Sequence, residues 1–308
     1  MKFGIIKERK NPPDRRVVFS PNEIKTIQEQ FPVVCFKVEP SDIRIFSDAE
    51  YQNLGIEVTD DLSDCEVLFG VKEVPVEALI PNKKYFFFSH TIKKQPYNQK
   101  LLQAVLEKNI ELYDHETIVD AANKRLIGFG RYAGIVGAYN AIRAFGIKFE
   151  LFKMPKASAL KGRDALVQQV KRQIIPPIKI VVTGTGKVGS GVKEMLLAMK
   201  IKEVSVENFL TKKFTQPVFT QIDVLEYNKR MDGQKFDTKD FYKNPSEYES
   251  DFERFTKVAD IYISGHFHAN AAPQILSQKM LQANDCAIKI VADVSCDVNG
   301  PIACTLRA

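Results

Sequence analysis

Between a run of β-branched residues, IKIVVT, and a helical stretch, GVKEMLLAMK, the chain carries Gly184-Thr185-Gly186-Lys187-Val188-Gly189. Context gives this GxGxxG its meaning, because glycines at these positions between a strand and a helix do separate physical jobs. Gly184 permits the tight turn, Gly186 lets the backbone approach a pyrophosphate, and Gly189 lets helix and strand pack closely. The helix N-terminus, where Lys187 and Val188 fall, offers N–H groups to phosphate. Acidic candidates Glu203 and Glu207 follow about 20 residues later, the spacing of a dinucleotide-binding βαβ unit. A P-loop would need Gly-Lys-Ser/Thr after four intervening residues, and that sequence is not present. A glycine turn used only for packing is the plain alternative.

A chain of 308 residues is too long for one ordinary core and fits two domains. The first part alternates β-rich and helical runs: KFGIIK, PNEIKTIQEQ, VVCFKV, DAEYQNLG, CEVLFGV, YFFFSH, LLQAVLEKN and IELYD. Strand and helix repeated this way predict a parallel sheet wrapped by helices. No glycine fingerprint follows its first strand, which leaves it a substrate-binding role. The small-residue stretch GFGRYAGIVGAYNAIRAFG reads as a helix packed closely on a neighbour, and the boundary falls there. The expected fold is α/β with two Rossmann-like domains of parallel strands. Residues 1–128 form the substrate domain and residues 129–308 the dinucleotide-binding Rossmann domain. Residues 155–173 look amphipathic, and Pro176-Pro177 then stops the helical pattern before IKIVVT. EVSV reads as the second strand of this domain, and the polar residues 227–257 as a surface excursion. Glu207 at the end of that second strand would accept from both ribose hydroxyls and favours NAD, whereas Lys212 and Lys213 close by would tolerate NADP.

Composition narrows the function classes. With 44% apolar and 27% charged residues the chain is ordinary for a globular protein. No apolar run approaches the roughly 20 residues of a membrane span, and MKFGIIKERK lacks the zones of a secretory signal, so a cytoplasmic location is expected. The net charge of +6 is spread among acidic residues without a basic block, which argues against nucleic acid and suits acidic small molecules. Five cysteines form no CxxC pair, so free thiols are expected. His266 and His268 in SGHFHAN make an HxH pair without a completing ligand. This loop, with Gly265, reads better as a border of the cofactor than as a metal site.

In the first half, Lys72 in FGVKEVP and His90 in FFFSHTIKK each end an apolar run, and Arg15-Arg16 lies upstream. Carboxyl ends of parallel strands form the ligand-facing edge, so both side chains are expected at one crevice. A lysine partly desolvated beside other cations approaches a general base, and histidine titrates near neutrality unaided. A surface lysine and a hydrogen-bonded edge histidine are the ordinary alternatives for each residue alone.

With these residues in view, the chain resembles the alanine dehydrogenase and saccharopine dehydrogenase superfamily. The segments that carry the resemblance are DRRVVFSP, LFGVKEVP, YFFFSHTIKKQ, GFGRYAGIVGA, VTGTGKVG and VADVSCDVNG, in that order. FFSHTIKKQ and KNPSEYESDFERF look closest to lysine-ketoglutarate reductase and saccharopine dehydrogenase. The resemblance implies an NAD(P)-dependent oxidoreductase that interconverts saccharopine with lysine and 2-oxoglutarate by hydride transfer at a C–N bond. It implies Lys72 and His90 as the acid–base pair, Arg16 as a carboxylate binder, and Glu116 as a carboxylate tuning the lysine. It further implies Arg125 as a substrate-facing residue and Asp297 as an aspartate near the nicotinamide. A small amino-acid or oxo-acid partner follows, and a homo-oligomer is compatible with it. Two departures stand out. The family's return segment after the DVSCD strand is expected to be lacking, and SGHFHANAAP replaces aromatic and acidic residues common there. Competing readings are an alanine dehydrogenase using pyruvate and ammonia, a non-catalytic dinucleotide-binding module, and the soluble subunit of a transhydrogenase.

Overall fold

Local signals start the helices of the first half where the sequence places them. Ser20 caps helix α1 (Pro21–Gln30) in a reciprocal capping box with Glu23, and Ser47 does the same with Glu50 for α2 (Asp48–Gln52). The computed structural model describes residues 1–11, 13–93, 96–266, 272–296 and 300–306. The chain divides into two units, Met1–Gly128 and Phe129–Ala308. Both are α/β with parallel sheets of Rossmann-like form.

The first unit holds strands β1 (Lys2–Ile5), β2 (Cys35–Val38), β3 (Glu57–Val58), β4 (Val67–Phe69), β5 (Lys84–Phe87) and β6 (Glu111–Asp114), with helix α3 (Gln99–Glu107). Their order is β3-β2-β1-β4-β5-β6, and every pairing is parallel. Such a sheet is covered on both faces. Leu68, Tyr85 and Phe87 pack with Leu101, Ala104 and Val105 of α3, while Ile5, Phe36 and Val38 pack with Ile24 of α1 and Tyr51 of α2. Strand order reverses between β1 and β4. Their carboxyl ends lie level, with Ile5 opposite Phe69, and open sheets of this kind bind ligands outside such a switch point.

The second unit holds β7 (Lys179–Thr183), β8 (Lys202–Glu203), β9 (Val218–Ile222), β12 (Ile261–Ser264) and β13 (Ile290–Asp293), ordered β13-β12-β7-β9-β8, and a separate hairpin of β10 (Asn228–Arg230) and β11 (Tyr248–Ser250). Alternate residues face opposite sides. Ile180 and Val182 enter one core with helices α4 (Gly130–Lys148), α5 (Arg163–Lys171) and α6 (Lys187–Ala198), and Val181 enters the other. Two sequence expectations change here. EVSV contributes only Glu203 to the two-residue edge strand β8, because Ser205 caps helix α7 (Val206–Thr211), which Val206 opens; the strand that pairs with β7 on this side is β9. Residues 227–257 are also no mere surface excursion. Tyr227, Phe241, Tyr248, Phe252 and Phe255, interleaved with charges along the chain, converge into a buried aromatic core.

Helices α4 and α6 cross at backbone distance. A Cβ on Gly134 would lie 2.0 Å from the Val188 carbonyl oxygen, and one on Gly191 would lie 2.0 Å from that of Arg131. Burial of Val192, Met195 and Leu196 on α6 depends on this approach, each side chain contributing about 1.5–3 kcal/mol. Among the described residues no helix is long and apolar enough to cross a membrane.

Gly134→Ala is therefore expected to destabilise the second unit by about 1–3 kcal/mol, since a backbone carbonyl cannot swing aside. Thermal or urea unfolding measures this, and an unchanged midpoint would show that the helices do not touch as described.

Candidate functional site

The chain leaving each strand of the first sheet delivers charged groups to the carboxyl edge. Glu8 follows β1, Lys72 and Glu73 follow β4, His90 follows β5, and Glu116 follows β6. His90 stands at a φ of 55°, a region a side-chain-bearing residue rarely adopts, and such strain concentrates at functional positions. Its Nδ1 lies 2.5 Å from Glu73 Oε1, while Lys10 donates to Glu73 Oε2 at 2.9 Å. Burial pushes the Glu73 carboxyl up, but these two partners outweigh it and hold the group below the usual carboxylate range. Arg16 donates through Nε to Asp14 at 2.9 Å, which orients its planar fork.

Lys72 sits within this set of charges. Burial, and then the positive charges of Arg16 and Lys10, depress its proton affinity below that of an ordinary lysine, against the pull of Glu73 and Asp14. An amine so placed gives and takes protons closer to neutrality. Lys72, His90 and Arg16 thus share one charge network, joined by Glu73, Lys10 and Asp14. Arg125 and Glu116 form their own pair at 3.4 Å beyond β6.

In the second unit the glycine turn interlocks with its surroundings. Gly184 has a φ of 91°, and a Cβ there would meet the Gly265 carbonyl oxygen at 2.7 Å. A Cβ on Gly189 would meet the Gly184 oxygen at 1.9 Å. Gly186 differs, because its Cβ would enter open space. It is also the N-cap of α6 and gives that helix no side-chain cap, and the N-terminus of a helix is favourable for an anion. This geometry fits a dinucleotide pyrophosphate. Beneath the turn, Thr183 Oγ1 lies 2.7 Å from His266 Nδ1 and 3.1 Å from the Tyr262 hydroxyl, so His266 joins a buried hydroxyl network.

Glu207 lies in the first turn of α7 rather than at the end of a strand beside β7. The acidic residue that follows the neighbouring strand is Asp223, directly after β9, where the Ile222 carbonyl accepts from Gly184 N–H at 2.9 Å. Asp223 is exposed and accepts from Val224 N–H at 2.7 Å. Asp297 and His268 lie outside the described residues. Among the described residues no cluster of three or more His, Cys, Asp or Glu could hold a metal ion. Sequence reasoning missed Glu8, Lys10, Asp14, Glu73 and Asp223. Glu73 had a signal, since it directly follows Lys72 at the end of an apolar strand.

Residues 4–136 match the family described as alanine dehydrogenase/PNT, N-terminal domain. Alpha-aminoadipic semialdehyde synthase of Arabidopsis thaliana is 29% identical over 99% of this chain, which spans only 33% of that protein. The NAD(+), L-lysine-forming saccharopine dehydrogenase of Yarrowia lipolytica is 23% identical over 86% of this chain and 67% of its own length. In three dimensions an L-alanine dehydrogenase superposes with a TM-score of 0.58 at 17% identity, covering 99% of this chain and 76% of that one. The first unit thus matches the alanine dehydrogenase/PNT N-terminal domain, while the chain as a whole is similar in sequence to an alpha-aminoadipic semialdehyde synthase and a saccharopine dehydrogenase and in fold to an alanine dehydrogenase.

Proposed function

We propose that the chain is an NAD-dependent amino-acid oxidoreductase of the saccharopine dehydrogenase type. The observation that carries this reading is Lys72, depressed by burial and by Arg16 and Lys10, in the network that includes the Glu73–His90 pair at the switch point of the first sheet. When bound on the second unit, the dinucleotide supplies or accepts the hydride.

The residues of the first unit divide the remaining work. Arg16, oriented by Asp14, binds a substrate carboxylate. In the oxidative direction hydride leaves the carbon beside the secondary amine, giving an imine. Water adds to that imine, and the C–N bond breaks to release lysine and 2-oxoglutarate. These steps move protons at nitrogen and oxygen, which Lys72 and His90 transfer, with Glu73 orienting the imidazole. Glu116, Arg125 and Asp297 remain lesser candidates for contacts with substrate or nicotinamide. Gly184, Gly186, Lys187, Val188, Gly189 and Gly265 would line the pyrophosphate path. Asp223 favours NAD, because its carboxylate suits ribose hydroxyls and repels a 2′-phosphate.

The protein should oxidise NADH when 2-oxoglutarate and lysine are supplied together, and Lys72→Met should slow this by about 10²–10⁴-fold. Turnover with pyruvate and ammonium alone would replace the saccharopine reading with the alanine dehydrogenase one. Gly186→Ala should leave the unfolding midpoint unchanged, since its methyl group meets nothing, yet weaken NADH binding at least about tenfold in calorimetry. Retained affinity would move the pyrophosphate elsewhere. Asp223→Asn should narrow the preference for NADH over NADPH, whereas Glu207→Gln should not; the opposite pattern would return the ribose to α7.

A further inference from the structure

A chain leaving the carboxyl end of a parallel strand loses its ladder partners, so its amides and carbonyls need others. The turn after β4 finds them on both sides. Glu8, after β1, accepts from Val71 N–H through Oε1 at 2.6 Å and from Lys72 N–H through Oε2 at 2.9 Å. His115, after β6, donates from Nε2 to the Gly70 carbonyl at 3.1 Å, while Phe88 N–H reaches the Val71 carbonyl at 3.1 Å. Both oxygens of one half-buried carboxylate thus hold consecutive amides. Burial pushes the Glu8 carboxyl up despite these bonds, with Asp14 adding to the rise and Arg16 opposing it. His115 is 5% exposed, its Nδ1 makes no hydrogen bond, and burial lowers its proton affinity against the pulls of Gly70 and Asp114. A neutral ring donating from Nε2 is the form that suits Gly70. Phe88 packs against His115 at 5.2 Å and against His90 at 6.2 Å, so the same grip reaches the other proposed proton carrier.

We propose that Glu8 and His115 are positioning residues that grip residues 70–72 from opposite sides and hold Lys72 among Arg16, Lys10 and Glu73. Neither residue touches substrate in this arrangement; each acts through the backbone that carries Lys72. The proposal rests on the proton-transfer role assigned to Lys72 above.

The test is competitive amine labelling of the full chain across pH, read by mass spectrometry at Lys72. In the wild type the labelling midpoint should lie below that of Lys72 in the urea-unfolded chain. In Glu8→Gln and His115→Phe it should climb towards the unfolded value by about half a unit or more with the fold intact. His115→Gln, whose amide can still donate to Gly70, should restore it. Folded variants with an unmoved Lys72 midpoint overturn the clamp, since a merely structural role changes melting alone. Should the variants not fold, amide exchange on the wild type decides. Val71 and Lys72 amides should be protected at neutral pH and lose protection as Glu8 takes up its proton, while the Gly70 amide, bonded to the Phe86 carbonyl, should not. Free exchange at Val71 and Lys72 overturns the clamp. A wild-type Lys72 that titrates as in the unfolded chain overturns the proton-transfer role instead, and exchange protection still reads the clamp separately.

Discussion

Parallel strands end with backbone polar groups that have no further ladder to join, and each unit of this protein is organised around how that edge is satisfied. In the second unit the solution is backbone against backbone. Gly184 donates to Ile222, Gly265 donates to Thr183, and no Cβ fits at Gly184 or Gly189. In the first unit the solution is side chain against backbone, with Glu8 and His115 closing the turn after β4. The two solutions have different chemical consequences. A glycine turn lets a ligand approach the backbone at the start of α6, while a side-chain clamp fixes a backbone and leaves Lys72 to do chemistry.

Electrostatics in the first unit follows from that edge. Residues drawn from two strand ends bring Lys10, Arg16 and Lys72 into one neighbourhood, and burial together with mutual repulsion lowers the proton affinity of the group best able to lose a proton. Arginine stays charged throughout, so the cost falls on the lysine. Glu73 and Asp14 prevent the cluster from flying apart without neutralising it: each carboxylate has its own partner, His90 with Lys10 for one and Arg16 for the other.

Much of the architecture was legible in the sequence because it rests on short-range physics. The helix over residues 21–30 announces itself through Ser20 and Glu23, and β7 through its β-branched run before the glycines. The same short range explains the failures. EVSV has the composition of a strand, but Ser205 offers its side chain to the Asn208 amide, and the local helix wins. The charged segment around Arg230 hides an aromatic core, because its aromatic residues are spaced irregularly and meet only once the β10–β11 hairpin folds.

By itself the sequence determined that a strand, a glycine turn and a helix follow one another at residues 179–198, and that Lys72 and His90 end apolar strands. These are matters of spacing and of what each backbone position tolerates. Only the tertiary structure decided which strand lies beside β7, and with it that Asp223 rather than Glu207 stands next to the glycine turn. It alone decided that Glu8 reaches across 64 residues to the Lys72 amide. Strand order and side-chain reach are set by which faces bury together, a property of the packed core that neighbouring residues along the chain do not encode.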